Sequence, residues 1–134
     1  MLALLIPVGS DWHAIDMSRV RQVVAGPPVT PLPTASGALI GVFNLRGEIV
    51  PLFDTAVLLG LGHLGTHAFA AVVESGSGPA GLGASGVPES VTLGTQIGVT
   101  ETAGTTASFA VGARIATLLD IDSLLTPARI GSWA

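Results

Sequence analysis

Apolar residues in this chain fall in short runs broken by bends. Leu2 to Val8 forms the first run, and Gly9-Ser10-Asp11, residues that tolerate or stabilise a turn, separate it from a second at Trp12 to Ile15. The pattern predicts two strands in a hairpin. Met17 to Val24 interleaves Val20, Val23 and Val24 with Arg19, Arg21 and Gln22. The i, i+3, i+4 spacing fits a helical turn, and valine fits a strand equally well, so both readings stand. Ala25 to Gly37 contains Pro27, Pro28, Pro31 and Pro33. Prolines so placed exclude a helix or a central strand and predict an ordered loop between sheet regions.

The next stretch organises the rest. Two apolar runs, Leu39 to Leu45 and Ile49 to Phe53, flank Arg46-Gly47-Glu48. Gly47 accepts the positive φ of a tight turn, and Val42, Phe43, Ile49, Val50 and Phe53 suit a pleated surface, which predicts a β-hairpin. Pro51 lacks an N–H, so the hairpin is expected to lie at a sheet edge or strand end there. Asp54 stands at the N-cap position of a short helix over Ala56 to Leu59, and Gly60 at its C′ position.

After the glycine-rich connection Gly60 to Thr66, Ala68 to Glu74 reads as a strand and Ser75 to Pro79 as a turn. Ala80 to Leu93 reads as two strands or one bent strand, with Gly86 and Pro88 at the bend. Gly94 to Thr106 reads as a loop with an extended piece at Ile97 to Val99. Ser108 to Val111 and Ile115 to Leu119 predict a last hairpin across Gly112-Ala113. Asp120 or Asp122 caps a helix ending before Pro127, and residues 127–134 are expected to fray. A shift of about half the chain superposes Phe43 on Phe109, Ile49 on Ile115, Leu52 on Leu118, Asp54 on Asp120 and Leu58-Leu59 on Leu124-Leu125. Both halves therefore end as strand, aspartate and short apolar helix.

Composition narrows the fold and the chemistry. A chain of 134 residues, 49% apolar with 18 glycines and 9 prolines, suits one all-β domain of many short strands. A net charge of −4 with 5 scattered basic residues argues against a nucleic-acid partner. The absence of cysteine excludes disulfides and thiolate catalysis and fits a reducing compartment. MLALLIPVGSD lacks a basic segment before its apolar run, so no secretory signal is expected. The apolar span Ala56 to Val73 is interrupted by His63, His67 and glycines, which makes a poor membrane helix.

No enzyme is visible. His63 and His67 have the i, i+4 spacing of metal ligands, but glycines undermine that helix and no third ligand is evident. Gly76-Ser77-Gly78-Pro79-Ala80-Gly81 matches a dinucleotide fingerprint in letters, yet Pro79 and the following glycines leave no helix to hold a pyrophosphate, and the segment reads as a hairpin turn. Ser10, Asp11, His13 and Asp16 do not share a strand face. Asp54 and Asp120 are each explained as helix caps. A small-molecule-binding β-barrel with a pocket among the glycine-rich loops is the alternative reading.

The stretch GVFNLRGEIVPLFDTAVLLG resembles the central motif of the CheW family of bacterial chemotaxis adaptors, in which a glycine-led strand runs into NLRG, an apolar strand with proline and then aspartate. Trp12 to Asp16, Ser18 to Val24 and Thr117 to Leu125 are similar to further family segments, so the resemblance covers most of the chain. It implies one CheW-like domain over residues 1–134, made of two intertwined, SH3-like, five-stranded β-barrel subdomains side by side, with short helices after Asp54 and Asp122. It implies a non-catalytic adaptor, without cofactor or metal, that couples the cytoplasmic tip of chemoreceptors to the regulatory domain of a CheA-type histidine kinase. The protein would be cytoplasmic and recruited to receptor arrays. By position, the partner-binding residues would be Val20, Val23, Asn44, Arg46 and Gly47, with Val87 and Val91 on the groove between barrels. The sequence departs from the family pattern at Gln22 and Ser85, where acidic residues are usual, and at Gly86 and Pro88. These changes remove charge from the partner-facing side, as in a divergent adaptor serving a pathway other than flagellar control.

Overall fold

The computed structural model describes residues 1–33 and 37–130. Among these residues twelve strands make two sheets of six. Strands β1 (Leu2–Val8) and β2 (Asp11–Asp16) form the first hairpin, followed by a 3-10 turn at Met17–Arg19 and β3 (Val20–Ala25). The ambiguous segment is thus turn and strand in succession. A two-residue strand β4 (Thr30–Pro31) lies in the proline-rich loop and pairs with β5 (Leu39–Leu45), which forms the central hairpin with β6 (Glu48–Phe53). Helix α1 (Thr55–Leu58) follows, then hairpin β7 (Phe69–Ser75) and β8 (Gly78–Ala84). The chain continues through β9 (Glu89–Thr92), β10 (Gln96–Val99), β11 (Thr105–Val111) and β12 (Arg114–Leu119) into α2 (Ile121–Leu124) and α3 (Pro127–Ile130).

The sheet orders are β10-β11-β12-β2-β1-β9 and β4-β5-β6-β8-β7-β3. Replacing each strand by its counterpart six strands along the chain turns one order into the other. The internal echo is therefore a repeat of architecture, with six strands per unit where five were expected. The first hairpin of each half is exchanged into the sheet of the other: β1 and β2 join β9 to β12, while β7 and β8 join β3 to β6. The exchange is sealed by two parallel ladders, β2 with β12 and β6 with β8. Neither strand order closes on itself, but each sheet curls. Arg21 on edge strand β3 meets Glu48 on β6 at 2.7 Å, and Glu89 on edge strand β9 meets Arg114 on β12 at 2.6 Å, in each case three strands away along the sheet.

Burial explains why several strands read as continuous apolar runs. In β1, Ala3 and Leu5 face a small cluster inside the first sheet with Ala14, Leu93, Val111 and Ala116, while Leu4, Ile6 and Val8 face a large central cluster. In β7, Ala70 and Val72 join Phe43, Val50 and Leu52 inside the second sheet, while Ala71 and Val73 face the same central cluster. Strands covered on both faces lose the polar alternation of a half-buried strand. The central cluster also takes Phe53, Leu82, Leu119 and Leu124, so the two halves share one core. Each such side chain contributes roughly 2 kcal/mol by leaving water.

Three expectations need correction. Pro51 is fully buried in β6, which is flanked by β5 and β8 and is not an edge. The ladder to β8 is formed by Leu52 and Phe53, so the missing N–H falls just before it. The second short helix begins after Asp120, whose carboxylate accepts from Ser123 N, and Asp122 lies in its first turn. Residues 127–130, expected to fray, form α3, with Ile130 buried in the central cluster and Arg129 donating to the Leu58 carbonyl. Residues 131–134 and part of the proline-rich loop, 34–36, lie outside the described residues.

Candidate docking surface

The β5–β6 connection is a two-residue turn, since Leu45 pairs with Glu48. Both central residues have positive φ, Arg46 at 52° and Gly47 at 86°, the pattern of a type I′ turn that suits the twist of the flanking strands. Among the described residues Arg46 is the one non-glycine with positive φ. Holding it there costs about 1 kcal/mol relative to an ordinary conformation. Asn44 compensates locally, its Oδ1 accepting from Gly47 N at 2.9 Å. Arg46 is exposed at the tip.

A second element reaches the same end of the molecule. Arg21 on β3 bridges Glu48 at 2.7 Å and Glu74 at 3.3 Å, which ties the sheet edge to the base of the turn. Val23 lies two residues along β3 from Arg21 and is exposed. Ile49 is also exposed and pairs across the hairpin with Asn44. Arg46 thus stands on a turn whose flanking strands carry the exposed pair Asn44 and Ile49, with Val23 exposed on the edge strand that Arg21 ties to that turn. Sequence reasoning missed Ile49 because it belongs to an apolar run. The available signal was its partner: opposite residues share a sheet face, and Asn44 marks that face as wet.

The other expected residues are placed differently. Val20 is half-buried against the central cluster and Val91 against the cluster inside the first sheet, so each packs with part of its side chain and leaves part accessible. Val87 is 67% exposed in the β8–β9 connection. That connection is tied down by Ser85, whose N and Oγ donate to the Pro7 carbonyl while the hydroxyl oxygen accepts from Gly9 N. The departure at Ser85 thus has a structural use.

Among the described residues the candidate reactive groups are spread over separate elements. His13 is buried within β2, where desolvation lowers its pKa against the opposing pull of Asp11. Asp16 accepts from Ser18 N and Oγ as the cap of the 3-10 turn. The Gly76-Ser77 segment is the β7–β8 hairpin turn. The histidine pair has a neighbour that the sequence did not reveal: Asp54 Oδ2 lies 3.8 Å from His67 Nε2 and 4.0 Å from His63 Nδ1. The same carboxylate is already committed, Oδ1 to Val57 N and Oδ2 to Leu64 N. Burial lowers the pKa of His67, with Asp54 acting in the opposite direction. Among the described residues no group of His, Cys, Asp or Glu is arranged to hold a metal. None of their helices is long and apolar enough to cross a membrane.

Known proteins place this geometry. The profile of the CheW-like domain matches residues 2–129. The chain belongs to the CheW-like domain family. A chemotaxis protein CheW of Rhizobium meliloti (strain 1021) is 35% identical over 54 residues, 40% of this chain and 35% of that protein. A chemotaxis protein CheW of Treponema pallidum (strain Nichols) is 33% identical over 69 residues, 52% of this chain and 36% of that protein. The chain thus aligns with about a third of the length of these curated relatives. The crystal structure of the scaffolding protein TtCheW from Thermoanaerobacter tengcongensis superposes with a TM-score of 0.78 at 21% identity, over 92% of this chain and 90% of that one. At that identity the likeness concerns the fold, and it extends to both halves of this CheW-like domain.

Proposed function

We propose that this CheW-like domain is a non-catalytic adaptor that couples chemoreceptors to a CheA-type histidine kinase in the cytoplasm, at receptor arrays. The observation that carries the reading is Arg46. A charged residue is held at a positive φ that glycine or asparagine would adopt more cheaply, on a braced and exposed tip, and backbone strain of this kind is retained where a side chain is needed for contact. Asn44, Gly47, Val23 and Ile49 supply the surrounding area. Val87 offers a separate contact on the β8–β9 connection, while Val20 and Val91 support the edges from within. Contact area without an assembled set of reactive groups is what a scaffold requires. Family membership and relatives named as chemotaxis proteins support the same reading.

The test is Arg46→Glu in the full chain. The variant keeps its circular dichroism spectrum and melting temperature, because the turn is solvent-exposed. Its affinity for the kinase regulatory domain or the receptor tip falls at least about tenfold, equivalent to about 1.4 kcal/mol. A folded variant that captures both partners as the unmodified chain does would overturn the proposal.

A further inference from the structure

The 5 basic residues of the chain are all arginines, and every one but Arg46 is committed inside the molecule. Arg19 pairs with Asp122 at 2.7 Å and donates to the Glu74 carbonyl. Arg21 bridges Glu48 at 2.7 Å and Glu74 at 3.3 Å. Arg114 pairs with Glu89 at 2.6 Å and lies 4.7 Å from the Trp12 ring centroid, and Arg129 donates to the Leu58 carbonyl. Arg46 differs. Among the described residues it takes part in no ion pair and no side-chain hydrogen bond, although its backbone is held at a φ of 52° on the tip. The equivalent turn of the other half, Gly112-Ala113, carries no cation.

An uncommitted arginine at this place needs a cause, because a carboxylate stands two residues away. Two residues of chain span at most about 7 Å, and both side chains are long, so Glu48 has the reach to pair with Arg46. Arg21 on β3 holds Glu48 instead, and shares itself with Glu74 on β7. The two arginines and two glutamates at this end sum to zero. They are distributed unevenly: the braced three carry one net negative charge, and the unbraced Arg46 carries the positive one. Arg21, Glu48 and Glu74 are 41%, 42% and 55% accessible, so their network adds little to stability and acts mainly on where charge is left over.

We infer that Arg21 is a positioning residue for the docking tip: by holding Glu48 it leaves the Arg46 guanidinium uncommitted, and the partner meets that guanidinium with a carboxylate set among apolar side chains. The apolar neighbours follow from Val23 and Ile49, which are exposed beside the turn. A carboxylate is the complement of an unpaired guanidinium, which takes it through two parallel N–H···O bonds. Were Arg46 already paired with Glu48, that pair would have to break before a partner's acid could bind, and affinity would fall by the same amount. The identity of the partner surface rests on the coupling reading above, whereas the role of Arg21 rests on the ion pairs of the free chain.

The experiment is a double-mutant cycle in the full chain on Arg21→Gln and Glu48→Gln, read in the free and the bound protein. In the free protein the Arg46 Nε–Hε resonance shifts in Arg21→Gln, as the released Glu48 pairs with it, and returns in the double variant. With the kinase regulatory domain or the receptor tip, Arg21→Gln loses about threefold to fivefold in affinity, the range of one exposed ion pair. Glu48→Gln alone changes binding by less than about twofold, because Arg21 keeps Glu74, and the double variant binds as the unmodified chain does. At position 46 lysine and glutamine make the same demand on the backbone, so Arg46→Lys keeps affinity within about twofold while Arg46→Gln loses about fivefold. An Arg46 resonance unmoved by Arg21→Gln, or single effects that simply add in the cycle, would overturn the role of Arg21. Equal losses in Arg46→Lys and Arg46→Gln would overturn the acidic partner. Undiminished binding of both partners by Arg46→Glu counts against the coupling reading instead, and the resonance shift then still decides the role of Arg21.

Discussion

The two halves share a topology and differ in how they finish their edges. In the second sheet the outer strand is β4, two residues long and surrounded by Pro27, Pro28, Pro31 and Pro33. In the first sheet the equivalent outer strand β10 contains no proline and exposes Ile97 and Val99, the latter 80% accessible. The brace between edge and turn is conserved in position but inverted in sign: Arg21 on the edge meets Glu48 in one half, and Glu89 on the edge meets Arg114 in the other. Arg114 additionally lies 4.7 Å from the Trp12 ring centroid. One half has its outer strand flanked by its own prolines; the other leaves an apolar edge. A duplicated scaffold thus carries differently finished edges in its two copies, and the Arg46 tip stands on the copy whose outer strand is short and flanked by proline.

The sharpest way to break this comparison is at the outer strands. Gly41 of β5 sits so close to β4 that an added Cβ would lie 2.3 Å from the Thr30 carbonyl oxygen, a backbone atom that cannot swing aside. Its counterpart in β11 is Ala107, which pairs with Val99 and is buried. Gly41→Ala is expected to cost about 2–3 kcal/mol in urea unfolding through overpacking. Ala107→Gly costs about 1 kcal/mol, from chain entropy and lost contact. Equal costs would show that the two outer strands are packed alike.

A smaller difference is expected at the two caps. Asp54→Ala removes an acceptor from both Val57 N and Leu64 N and costs about 2 kcal/mol. Asp120→Ala removes one acceptor, at a longer distance and in a more open setting, and costs about 1 kcal/mol. Urea midpoints that fall together for the two variants would contradict the contrast between the two caps.

The smallest effect concerns pH. Burial holds the pKa of both His13 and His67 below the ordinary value of 6.5. The unfolded chain therefore binds protons more readily, and stability is complete above about pH 6.5 and declines as the pH falls below it. A lower urea midpoint is expected at about pH 5.5 than at about pH 7.5. His67→Leu reduces this difference by loosening the proton linkage of the covered half, while the part due to His13 in the first sheet persists. A pH response identical in His67→Leu and the unmodified chain would refute the share assigned to His67.

Much of the architecture was legible because local chemistry and packing agree. The Arg46-Gly47 turn, the Asp54 cap, the Gly60 stop and the closing hairpin each depend on neighbours within a few residues, so their signals survive in the linear order. Pro51 misled because proline is disfavoured inside a sheet, and only the parallel register shows that the ladder begins one residue later. That Val20 and Val91 pack in part against the two clusters was not legible, since a covered and an exposed valine on a strand have the same letter. The Arg21–Glu48 brace joins residues that are neighbours only after the sheet curls.

Taken alone, the order of residues determined the strands, turns and caps, the family, and the repeat of aspartate and apolar helix in each half, because these depend on short-range sterics and hydrogen bonds. The exchange of hairpins between sheets, the burial of β1 and β7 on both faces, and the second N–H that Leu64 brings to Asp54 were decided by the tertiary structure. The physical reason is that partners distant along the chain must share one core, and which segment covers a given carboxylate depends on where the chain goes next.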